Sequence, residues 1–209
     1  SCIQKGLEIL GLGAKSLHLI ASKPDLTMDV AALESAIAAD NAHGLKPVCV
    51  VATAGTTNTG AIDDIKAITD ICRRNQLWMH VDGCIGALLK LAPANKTKVD
   101  GIELADSLSL DPHKWLHAPF EVGCAFVRDA KQHRDSFAMH PAYLEEKPRG
   151  IGSGEFLADY SLELSRNLKA LKVWLSLKEN GVEKFGRLID QNIAQAKYLT
   201  GLVNAAPRL

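Results

Sequence analysis

The sequence predicts an α/β fold built on a largely parallel sheet. Three observations carry that reading. Short apolar, β-rich runs alternate with segments of helical periodicity. The strongest run, PVCVVATAG, is unbroken, as in a strand buried on both faces. Polar clusters follow three of the runs: TAGTTNTG, HVDG and DPHKW. Strands separated by helices imply right-handed crossovers, and in such sheets ligands collect beyond the carboxyl ends of the strands. The three clusters stand where such a ligand would bind.

The elements follow in order. SCIQKGLEILGLG reads as a helix with Ile3, Leu7 and Leu10 on one face and Gly11 and Gly13 as its stop. SLHLIA reads as a short strand. TMDVAALESAIAADNAHG reads as a helix with Thr27 and Asp29 as cap candidates, Val30, Leu33 and Ile37 at helical spacing, and Gly44 as terminator. IDDIKAITDICRRN is expected to turn Ile62, Ile65, Ile68, Thr69 and Cys72 inward before the strand LWMHVD. GIELADSLSL and EVGCAFVRD supply two further strands. The Pro- and Gly-rich stretch MHPAYLEEKPRGIGSGEF is expected to be an exposed, mobile loop. LELSRNLKALKVWLSLKENG predicts an amphipathic helix with Leu164, Leu168, Leu171 and Leu175 as its stripe, and VEKFGRLIDQNIAQAKYLTGLV a second. Whether the first stripe serves a core or an interface is not decided by periodicity.

The chain has 209 residues, 47% hydrophobic, enough for one substantial core. Its 24 basic and 24 acidic residues balance, so no global field argues for nucleic acid or an anionic membrane. The five cysteines are scattered and odd in number, the usage of a reducing compartment. With no long uncharged apolar stretch and no signal-peptide profile, the expectation is a cytoplasmic protein with no membrane partner.

Lys114 is the residue that most needs explaining. A lone lysine is ordinarily a solvated surface charge. At a strand end among Trp115, Leu116 and Phe120, it becomes a candidate for a desolvated amine with a depressed pKa, which imine formation with an aldehyde requires. Asp82 ends LWMHVD, and a carboxylate leaving a buried strand needs a positive partner. It reads equally as a cap or salt bridge and as the partner of a protonated pyridine nitrogen. The GTTNTG run, Gly55 to Gly60, suggests a phosphate cradle but lacks the Gly-Lys-Ser/Thr of a Walker loop. His113 and His117 stand four apart, yet no glutamate adjoins the first, so no metal site is expected.

Four stretches, VVATAGTTNTGAIDDI, WMHVDG, ADSLSLDPHKW and LELSRNLKALKVWLSL, together resemble the pyridoxal-phosphate-dependent group II amino acid decarboxylases, the family of aromatic amino acid and glutamate decarboxylases. The resemblance runs from residue 1 to about residue 205 and agrees in motif order and spacing. It implies the large domain of an aspartate aminotransferase-like, fold type I enzyme over residues 1–175, its N-terminal part absent. Residues 176–209 would lead into an incomplete small C-terminal domain. The implied cofactor is pyridoxal 5'-phosphate, carried as an imine on Lys114, and the implied reaction releases an amine and carbon dioxide from an L-amino acid.

The resemblance also assigns roles. Asp82 would pair with the pyridine nitrogen. His113 would lie near the cofactor phosphate and help position substrate. Thr57 matches a threonine beside the ring and the substrate carboxylate. Cys84 takes the place of a small residue packed on one ring face. Tyr143 matches a tyrosine that protonates the α-carbon from a loop serving a neighbouring subunit, so a homodimer is implied. The family's ring-stacking histidine and Gly-Ser-rich phosphate segment would precede Ser1; Cys84 and Ile85 depart from its commonest pattern, and Asp111 stands where the family frequently has an asparagine near the phosphate. Two alternatives stay open: another fold type I enzyme, such as a carbon-carbon lyase or an aldehyde-forming decarboxylase, and an inactive homologue acting through dimerisation. Tyr143 as proton donor argues against the aldehyde-forming chemistry. Nothing in the sequence selects the substrate.

Overall fold

The structure, a computed structural model, describes residues 2–139, 149–150 and 153–206. Four strands form one sheet: β1 (Cys49–Thr53), β2 (Trp78–Asp82), β3 (Ser107–Leu110) and β4 (Cys124–Val127), in that spatial order. β1 pairs with β2 and β2 with β3 in parallel, and β4 closes the edge antiparallel to β3. The register sets Thr53, Asp82 and Ser109 in one row at the carboxyl ends of the parallel strands.

The helix α3 (Ile65–Asn75) makes the crossover from β1 to β2. Asp64 caps it by accepting from the Ala67 N–H, and Ile65, Ile68, Thr69, Ile71 and Cys72 are buried against the sheet. Val50 and Ala52 of β1 and Met79 and Val81 of β2 meet that face. The opposite face, with Val51, Thr53, Trp78, His80 and Asp82, is only half-buried, and Cys49 is exposed. The two-sided burial expected of β1 is therefore a one-sided burial: a period of two separates the faces, and within the described residues only α3's side is packed.

α1 (Cys2–Ile9) ends where Gly11 and Gly13 take positive φ, and α2 (Val30–Ala42) starts at Asp29, which accepts from the Ala31 and Ala32 N–H groups. SLHLIA does not form the expected strand. Ala14–Ser16 is a 3-10 turn, Leu17 is extended without a ladder, and only an isolated bridge joins Ser22 to Met28. An apolar run without a neighbouring strand leaves its backbone groups to turns and solvent. The expected strand GIELADSLSL is likewise shorter, because Ile102–Leu104 is a 3-10 turn and pairing begins at Ser107. After β4, α4 (Ala130–Phe137) is capped by Asp129, which accepts from the Gln132 N–H.

α5 (Lys169–Asn180) and α6 (Val182–Ala205) complete the described chain. The expected stripe of Leu164, Leu168, Leu171 and Leu175 is not the buried one: all four are exposed. Leu164 and Leu168 precede the first turn, and Val173 and Leu177, one turn apart, are the side chains packed on the core. α6 joins the core through Phe185 and Ile189. Gly186 lets it approach so closely that a Cβ there would lie 2.0 Å from the Leu91 carbonyl oxygen. The expected boundary at residue 175 falls inside α5. Among the described residues, no helix is long and apolar enough to cross a membrane.

Candidate active site

Beyond the carboxyl ends of β1, β2 and β3, the connecting loops are tied together by backbone hydrogen bonds. The Ala54 N–H donates to the Asp82 carbonyl at 2.8 Å, Gly83 N–H to Ser109 O at 3.0 Å, Gly86 N–H to Ala54 O at 3.1 Å and Asp111 N–H to Cys84 O at 3.0 Å. Two glycines make the approach possible. A Cβ on Gly83 would stand 2.7 Å from Ala87 Cβ and 2.9 Å from Leu108 Cδ1, and one on Gly86 would overlap the Ala54 carbonyl. Strand-end residues 82–84 and 109–114 thus form one rim.

Asp82 is the last residue of β2 and is half-buried. One of its carboxylate oxygens accepts from the Cys84 N–H at 3.2 Å. Burial, followed by the neighbouring Asp82 carboxylate, pushes the Cys84 thiol up to about 11. It stays protonated near neutral pH, 3.9 Å from the Ser109 hydroxyl. One residue pair back along the same face, His80 Nδ1 meets Ser107 Oγ at 2.8 Å, and burial lowers the His80 pKa against the opposing pull of Asp82.

Lys114 lies in the turn that follows β3, its N–H donating to Asp111 O at 2.9 Å and its Nζ 2.9 Å from Asp111 Oδ2. The Asp111 hydrogen bond raises the Lys114 pKa, and the smaller effect of burial does not reverse it. The expected desolvated, depressed amine is thereby corrected. Trp115 and Leu116 are buried to different degrees, but Phe120 is 82% exposed and the lysine has kept a carboxylate partner. An ammonium with an anion at contact distance is favoured over the free amine.

His113 faces the next strand. Its Nδ1 lies 2.7 Å from the Val122 carbonyl oxygen, which can only accept, so Nδ1 carries the hydrogen. Nε2 is turned toward Asp111 at 3.9 Å, and Phe120 packs edge-on to the ring at 4.9 Å. His117 stacks instead near Phe185 on α6, so the two histidines serve different surroundings.

The structure brings Lys114, His113, Asp82 and Cys84 to one rim. Thr57 lies in the Thr56–Gly60 turn beyond β1, on the same edge of the sheet but exposed. That turn is held by the Thr56 and Thr59 hydroxyls, 2.6 Å apart, and by Thr56 Oγ1 accepting from the Ala61 N–H. Tyr143 lies outside the described residues. Sequence reasoning placed Asp111 near a phosphate and missed its bond to Lys114, although the i,i+3 spacing in a Pro-containing turn was the available signal. Ser109, adjacent to Asp82 in the register, carried no sequence signal.

The chain is 37% identical over 204 residues to an aromatic-L-amino-acid decarboxylase of Bacillus atrophaeus, covering 98% of this chain and 42% of that protein. It is 34% identical to a 3,4-dihydroxyphenylacetaldehyde synthase of Aedes aegypti, covering 94% of this chain and 38% of that one. A crystal structure of Oryza sativa TDC with PLP and tryptamine superimposes with a TM-score of 0.90 at 32% identity, covering 98% of this chain and 42% of that chain. The chain therefore spans about two fifths of the length of the relatives it matches. The fold is that of the pyridoxal-dependent decarboxylases, the fold type I expectation. The pyridoxal-dependent decarboxylase conserved domain matches residues 1–209, and the chain belongs to that family.

Proposed function

We propose that the protein containing this chain decarboxylates an L-amino acid to the corresponding amine and carbon dioxide with pyridoxal phosphate. The observation that carries the reading is the convergence of Lys114, His113 and Asp82 on one rim at the carboxyl ends of three parallel strands. That donor set fits the cofactor: a primary amine for its aldehyde, a carboxylate for its ring nitrogen and an imidazole for an anionic group, beside glycines whose hydrogen-only side chains leave room for close packing.

When bound, the cofactor supplies a conjugated sink for the electron pair left when carbon dioxide departs. Lys114 holds it through the amine. Asp82 keeps a proton on the ring nitrogen by offering a fixed anionic acceptor, held in place by the Cys84 N–H. His113, its Nδ1 hydrogen committed to Val122, presents Nε2 to the phosphate or to substrate. Cys84, with its thiol protonated, packs as a small neutral side chain, and Thr57 serves the substrate carboxylate from the turn after β1. Tyr143 donates the proton to the α-carbon. A homodimer, in which the loop around Tyr143 reaches the neighbouring site, belongs to the same proposal. So does a cytoplasmic location, which the five free thiols support. Residues 1–175 would serve as the cofactor domain and residues 176–209 as the lead into a smaller one.

A second reading, aldehyde formation, is favoured by the likeness to the Aedes aegypti synthase. Both are tested by incubating the full-length protein and pyridoxal phosphate with aromatic, acidic and diamino L-amino acids and following carbon dioxide, amine and aldehyde. One amine per carbon dioxide supports the proposal. Aldehyde with ammonia, formed as dissolved oxygen is consumed, supports the second reading, and no carbon dioxide from any substrate contradicts both.

A further inference from the structure

One anion faces two of the groups that the rim offers to a ligand. The Asp111 carboxylate lies 2.9 Å from Lys114 Nζ and 3.9 Å from His113 Nε2. The Asp111 backbone is fixed from two sides, by its N–H donating to Cys84 O and by its carbonyl accepting from the Lys114 N–H. The two side chains are 23% and 39% exposed, so the pair is only partly screened by solvent. Around the amine stand Asp111 from the same turn and Asp82 and Cys84 from the end of β2. Asp82 pulls in the same direction as Asp111, and the Cys84 thiol stays protonated near neutral pH.

A carboxylate is an unfavourable neighbour for a phosphate ester, and an amide of the same shape would not repel it. Its presence here calls for a role that uses its charge. We propose that Asp111 is a positioning residue, which holds the Lys114 ammonium at the rim and sets the pH at which that lysine becomes a free amine. The role rests on Lys114 being the amine that receives the cofactor. An ammonium has no lone pair, so the nitrogen must give up a proton before it can attack an aldehyde. Asp111 opposes that loss, and its removal lowers the pH at which the nucleophile appears.

The test is competitive acetylation of the full-length protein stripped of cofactor, followed by peptide mass mapping from neutral to strongly alkaline pH. Lys90, paired with Asp100 at 3.2 Å and Glu103 at 3.1 Å, is the internal reference and reports unfolding. Asp111→Asn is expected to raise Lys114 labelling at neutral pH by about threefold to fivefold relative to Lys90, the size expected for a partly exposed ion pair. Asp111→Glu is expected to retain the parent profile. An unchanged Lys114 profile in Asp111→Asn overturns the proposal, and so does a shift in Asp111→Glu equal to that in Asp111→Asn, which would mark a structural effect. No cofactor takes part, so this result stands or falls separately from the assignment of Lys114 to pyridoxal phosphate.

Discussion

The Gly86 N–H donates to the Ala54 carbonyl oxygen at 3.1 Å, and the same oxygen lies 2.1 Å from the point where a Gly86 Cβ would stand. One contact thus anchors the loop after β2 to the end of β1 and leaves no space for a side chain. Gly86→Ala must move either the strand end or the loop, and the displaced atom is backbone, which yields poorly. A loss of about 3 kcal/mol in unfolding free energy is expected, at the upper end of overpacking costs. Urea unfolding of the full-length protein checks it; an unchanged midpoint would mean that the rim is not rigid there.

α6 is tied to the rest of the fold by Asp190, which accepts from the Ala94 N–H at 2.9 Å and from Asn95 Nδ2 at 2.6 Å. These bonds, the Ala94 N–H first, lower the Asp190 pKa below its ordinary 3.8. A depressed folded-state pKa contributes stability that is fully present above 3.8 and is lost as pH falls through the folded value. Asp190→Asn should therefore melt below the parent at neutral pH, and the gap should close in acid. A gap that stays constant with pH would assign the effect to shape, not charge.

Asp82→Asn keeps the shape of the side chain and removes its charge. The Cys84 N–H retains an oxygen acceptor, so the fold should be preserved. Under the proposed function kcat falls by about 100-fold or more, the scale of deleting one preorganised electrostatic partner. Single-turnover rates of parent and variant, with matched circular dichroism spectra, check it. Parent-like turnover would remove Asp82 from the proposed chemistry.

The sheet and its polar rim were legible because their signals are local. VVATAG, LWMHVD and SLSL each run into one of the polar clusters TAGTTNTG, HVDG and DPHKW, and the cap candidate Asp29 directly precedes its helix. Ile65, Ile68, Thr69 and Cys72 recur at helical spacing and are buried as that spacing predicts, whereas Ile62 of the same expected stripe precedes the helix and is partly buried. Features that depend on distant partners were not legible. Leu164, Leu168, Leu171 and Leu175 are periodic yet exposed, whereas Val173 and Leu177 find the core, because the choice depends on where α5 begins and what it meets. SLHLIA is apolar enough for a strand but has no ladder to join. The Lys114 environment was misjudged because apolar neighbours in sequence were taken as neighbours in space. Phe120 points outward, and Asp111 reaches the amine across a turn.

The central claim is that Lys114 is the amine that captures pyridoxal phosphate. Its most direct test is borohydride reduction of the full-length protein after incubation with pyridoxal phosphate, followed by peptide mass mapping of the parent and of Lys114→Arg. The account predicts one reduced pyridoxyl adduct, on Lys114, that disappears in the variant while the peptide carrying Lys90 stays unmodified in both. An adduct confined to other lysines, or no adduct in the parent, would contradict it.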